Sequence, residues 1–96
     1  MVSLSTNETY PVIQPSGDIE YIQPEGSEGR PTLRQLQDAV GGYIEAVPLA
    51  DWPHRYMYVN EEGLIHGLPL NLIASKFAGQ PIMGPAILMP EGSESH

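Results

Sequence analysis

A helical stretch that ends on paired glycines and runs straight into a strand, Leu33 to Val47, constrains this chain more than any other feature. Thr32-Leu33-Arg34-Gln35 reads as a capping box, in which the Thr and Gln side chains satisfy backbone N–H groups that a helix start leaves free. Leu33, Leu36 and Val40, joined by Ala39, then fall on one face. Gly41 or Gly42 can take the left-handed conformation that ends a helix. Tyr43 to Leu49 follows as a strand, stopped near Pro48. A helix with one apolar face, tied this closely to a strand, must pack on a sheet.

The other elements are shorter. Tyr10 to Gln14 and Ile19 to Ile22 read as strands of a hairpin around Ser16-Gly17-Asp18, with Pro11 pushing the first toward a sheet edge. Ala50 to His54 reads as a loop. Arg55 to Asn60 reads as an aromatic strand, with Tyr56 and Tyr58 on one face and Met57 and Val59 on the other. Asn60-Glu61-Glu62-Gly63 forms a turn, after which Leu64 to His66 pairs back briefly. Pro69 to Phe77 reads as a short helix with Asn71 near its start and Gly79 at its end, and Gly84 to Met89 as a last strand. The order β-β-α-β-β-α-β predicts an α+β fold, a two-layer sandwich with a mostly antiparallel sheet and both helices on one face. One domain spans residues 10–89, between a flexible N-terminus (1–9) and a flexible acidic tail (90–96).

Composition narrows the function classes. The chain has no cysteine, which removes disulfides, thiolate metal sites and thiol nucleophiles. Its twelve acidic and four basic residues give a formal net charge of −8. Arg30, Arg34, Arg55 and Lys76 are scattered, so duplex nucleic acid, which is held through several phosphate contacts, is not an expected partner. No apolar run approaches the roughly 20 residues that span a bilayer. Neither a membrane nor a secretory route is expected, and the cytoplasm is the expected location.

The segments Val40-Gly-Gly-Tyr-Ile-Glu-Ala-Val47, Val59-Asn-Glu-Glu-Gly63, Gly67-Leu-Pro-Leu-Asn71 and Gly84-Pro-Ala-Ile-Leu88 together resemble a family of small proteins classed as a domain of unknown function. That family is found mainly in phages, prophages and mobile elements. The likeness runs from Tyr10 to Met89 in the order of elements, and its motifs from Leu33 to Leu88. It implies a phage or mobile-element source, and it brings no catalytic residues.

Catalytic chemistry is thin. His54 and His66, with Glu61 and Glu62 between them, match no metal-ligand spacing, and exposed turn histidines are the commoner case. Glu45 could pair with Arg55 across adjacent strands. Ser75 lacks a nucleophile elbow, and no strand-to-helix glycine loop cradles a phosphate. No enzyme activity, cofactor or metal is expected. Binding is the better class. Arg55 can fork onto a phosphate or carboxylate. Tyr43, Tyr56 and Tyr58 can stack a base. Gly67 allows close approach of a backbone, and the helix entry at Asn71 offers N–H groups to an anion. The plainer alternatives are a salt bridge, core aromatics, a turn and an N-cap. The expectation is a phage-encoded binding protein that sequesters a nucleotide-type immune signal of the host, at a site shared between subunits of a homo-oligomer. The alternative is an acidic module that inhibits a host enzyme in the manner of a DNA mimic, or an accessory protein of the phage.

Overall fold

The computed structural model describes residues 9–90, with nothing said of the side chains of Pro53 and His54. The expectations for residues 1–8 and 91–96 lie outside that range. Seven elements follow in order: β1 (Tyr10–Ile13), β2 (Ile19–Ile22), α1 (Leu33–Val40), β3 (Ile44–Leu49), β4 (Trp52–Asn60), α2 (Leu72–Ala78) and β5 (Ala86–Leu88). One 3-10 turn, Ser27–Gly29, lies in the β2–α1 connection. All neighbouring strands run antiparallel, in the order β2-β1-β5-β4-β3. The α+β class and the order of elements are those that the sequence predicts.

Helix limits come from local chemistry. Thr32 and Gln35 make the reciprocal capping box, and Gly41 ends α1 at φ +81°. Asn71 caps α2 by accepting from the Ala74 N–H, and Gly79 ends it at φ +72°.

The seating of the helices differs from the one-face expectation. On one face of the sheet, Leu36 and Val40 of α1 pack with Tyr10, Val12, Ile87 and Met89. On the other, Ala74 and Ala78 of α2 pack with Val47, Leu49, Met57, Val59 and Ala86. Neighbours in β4 and β5 belong to different clusters, so the helices lie on opposite sides and the sheet is a shared middle layer. The cause is visible in β4. Tyr56 and Tyr58 are apolar enough to be covered on their side, and Met57 and Val59 on theirs, as in strands buried on both faces.

Three smaller expectations are also corrected. β1 is internal, not an edge, and Pro11 is accommodated because β5 pairs only with Val12 and Ile13. The stretch expected to be a loop from Trp52 extends β4, with a register shift at Pro48/Leu49 that absorbs the irregularity. Leu64 to His66 stays in a turn instead of pairing back, held by His66 N–H to the Glu62 carbonyl (2.9 Å) and Leu68 N–H to the Gly63 carbonyl (3.0 Å).

Candidate functional site

The register Ile44↔Asn60 brings the start of β3 beside the end of β4, directly under the C-terminus of α1. One buried side chain fixes how these three pieces meet. Asn60 donates from Nδ2 to the Val40 carbonyl (3.0 Å), and its Oδ1 accepts from the Glu62 N–H (2.7 Å). Helix end and acidic turn are therefore joined through a residue that is itself in the core. Gly42 is required here, because a Cβ would sit 2.9 Å from Asn60 Nδ2. The Glu61 N–H to Tyr43 carbonyl bond (2.9 Å) closes the arrangement.

The result is a cleft of about 390 Å³ between α1 and the turn at residues 61–67. Gln37, Asp38, Gly41, Gly42, Tyr43, Glu62 and His66 line it. Its volume falls within the usual range for ligand sites. Asp38 and Glu62 supply two carboxylates, and the C-terminal end of α1 adds the negative pole of the helix dipole. Tyr43 is 68% exposed and offers a ring face. His66 Nε2 lies 3.1 Å from Glu62 Oε1, with both side chains about half exposed. No Lys or Arg lines the cleft. Carboxylates attract a cation, and the negative face of an aromatic ring attracts one as well.

Across the same turn lies a smaller hollow of about 160 Å³, whose walls include Glu45, Glu61, Leu64 and Gln80. Between the two, Leu64 and Ile65 stand 75% and 80% exposed at the tip of the turn. Four carboxylates, Asp38 and Glu62 in the cleft and Glu45 and Glu61 in the smaller hollow, thus gather at one end of the sheet.

The six residues singled out from sequence do not share a site. Tyr43 lies in the cleft, and Gly67 closes the turn beside His66 through its N–H to the Leu64 carbonyl (3.1 Å). Tyr56 and Tyr58 lie on the α1 face of the sheet with rings edge to face at 5.1 Å and hydroxyls 3.4 Å apart. Burial, and then the neighbouring Tyr56 hydroxyl, pushes the Tyr58 phenol up to about 12. Arg55 is on the opposite face, and its Nε donates to the Met89 carbonyl (2.8 Å). The Glu45–Arg55 pair does not form, because Glu45 stands opposite Val59. Asn71 is fully buried. Its amide donates to the Ile13 and Gly84 carbonyls (2.9 Å each), and its oxygen accepts from the Ala74 N–H (3.1 Å). Every donor and acceptor of that side chain is used within the fold, which leaves it the N-cap role.

Asn60 is the residue that sequence reasoning missed. An Asn before Glu-Glu-Gly reads as a turn former, and only its even spacing from Tyr56 and Tyr58 placed it on the α1 face. Among the described residues, no three His, Asp or Glu side chains converge as a metal ion would need, and no helix is long and apolar enough to cross a membrane.

No curated protein and no solved structure matches the chain significantly. A family profile does match, over residues 10–96 and so over the whole sheet, both helices and the cleft: the chain belongs to the family described as a domain of unknown function, DUF3846.

Proposed function

We propose that this chain is a non-enzymatic binding module whose acidic end docks a basic segment of a protein partner. The observation that carries the proposal is the cleft at the end of α1, which pairs Asp38 and Glu62 with the exposed Tyr43 ring and has no Lys or Arg in its walls. A Lys or Arg side chain entering it gains two opposite charges and a ring face. The exposed Leu64 and Ile65 beside it supply the apolar contact that a charged rim lacks. Such a surface sets on-rate and specificity more than raw affinity.

Sequestration of an anionic nucleotide at the six residues first singled out has less support, since Arg55 is bonded to Met89 and the tyrosines are divided between two places. Binding without chemistry is supported by the exposure of the His66–Glu62 pair, which water screens. The resemblance of the sequence motifs to a family found mainly in phages and mobile elements is the support for a phage source, and on that reading the partner is a host protein and the place of action the host cytoplasm.

The test is affinity capture from host extract at low salt, with the wild-type chain and an Asp38→Asn/Glu62→Gln variant side by side. The expected outcome is a basic protein held by the wild type, lost by the variant and released as salt rises. Equal recovery by both chains, at unchanged thermal stability, would sink the assignment.

A further inference from the structure

The opposite end of the β3–β4 hairpin carries a third hollow, of about 160 Å³, lined by Leu49, Asp51, Trp52, Lys76 and Phe77. It differs from the acidic cleft in every respect that matters for a ligand. Its walls are two aromatic rings from different elements: Trp52 opens β4, paired across the hairpin with Leu49, and Phe77 sits in the last turn of α2. Leu49 is buried and forms the floor, whereas Trp52 and Phe77 remain 53% and 45% exposed. Two half-open aromatic rings beside an apolar floor are an unfilled contact surface.

The walls are held in place before any ligand arrives. The Ala50 N–H donates to the Phe77 carbonyl (2.9 Å), tying the hairpin turn to the end of α2. Gly79 permits that closeness twice over. Its φ of +72° releases the helix, and a Cβ there would lie only 3.0 Å from the Ala50 Cβ. A preformed slot loses less order on binding than one that must assemble.

Size and charge decide the occupant. The volume holds one planar ring system, and because the hollow is open the rest of a ligand lies outside it, along the rim. The rim carries one ammonium, Lys76, and one carboxylate, Asp51. Ring walls stack a base, Lys76 pairs with a phosphate as a mobile point charge, and Asp51 accepts a hydrogen bond from an exocyclic amine. We infer that this hollow is a nucleotide site, taking a monophosphate whose base bears an amine between Trp52 and Phe77. It does not depend on the acidic cleft, and either can fail alone.

Trp52 is the only tryptophan in the chain, so it reports the slot without engineering. Its fluorescence should be followed during titration with AMP, with adenosine and with N-acetyl-tyrosinamide. Saturable quenching by AMP is expected, about tenfold weaker for adenosine, with Phe77→Ala weakening AMP by about tenfold and Lys76→Gln making AMP and adenosine equal. Circular dichroism of each variant establishes that it folds. No saturable response to AMP from the folded wild-type chain overturns the inference. So does an equal response to AMP and adenosine in the wild type, which removes the phosphate from the recognition. Tighter binding of the tyrosine amide than of AMP also overturns it, and makes the slot a contact for a protein side chain.

Discussion

The two helices solve the same problem in opposite ways. α1 buries Leu36 and Val40 against the sheet and turns Arg34, Gln37 and Asp38 outward, with Leu33, expected on the buried face, 59% exposed in its first turn. α2 buries Ala74 and Ala78, its two smallest residues, and leaves Leu72, Ile73 and Phe77 facing out. Large residues under α1 fill space between helix and sheet. Alanines under α2 remove that space, letting its backbone approach the sheet closely. The large side chains of α2 are therefore only partly covered by the domain itself, from Leu72 at 65% exposed to Ile73 at 37%.

That contrast can be attacked from several directions, of which the largest effect should come from Leu36→Ala. It removes a buried side chain from the α1 layer and should cost about 3 kcal/mol in a urea unfolding series. A loss below about 1 kcal/mol would show that α1 is held by its caps and not by its packing. Ala74→Leu comes next, at about 2 kcal/mol, because a fully buried alanine has no room for three more carbons. A neutral result there would mean that α2 sits loosely, and the close approach would have to be given up.

A pH series sharpens the account of the α1 face. Tyr58 ionises near its ordinary 10 in the unfolded chain and at about 12 in the folded one, owing first to burial and then to Tyr56. Between those values the unfolded state binds fewer protons, so stability is intact below pH 10 and falls as pH rises toward 12. Tyr58→Phe should flatten that alkaline limb while leaving the neutral midpoint close to wild type. The smallest effect is expected from Leu72→Ser on the outer face of α2, within about 0.5 kcal/mol by the same urea assay. A larger loss would show that Leu72 has a partner in the fold after all.

What the sequence made legible were the features decided within a few residues. The Thr32–Gln35 box, the Asn71 cap and the glycines after each helix are written in neighbouring positions, because the bonds they make are local. The tyrosine and Met/Val faces of β4 were equally readable. Their meaning was not. A strand apolar on both sides requires cover on both, and that was the signal for helices on opposite faces. Asn60 eluded the same reading because its partner, the Val40 carbonyl, lies twenty residues away. The candidate site was half visible for a related reason: Tyr43 was identified, but the carboxylates that give its cleft a sign lie on α1 and on a turn, and their meeting depends on register.

The strand order has a consequence for the making of the protein. Among the described residues, β5 is the last element, lies in the centre of the sheet and is the sole strand bridging the β1–β2 and β3–β4 hairpins. Until a ribosome has released residue 88, the two hairpins have no common sheet to join, and each shows an unsatisfied inner edge to the cell. Synthesis runs at about 5–20 residues per second, so the sheet cannot be completed until seconds after β4 has been made.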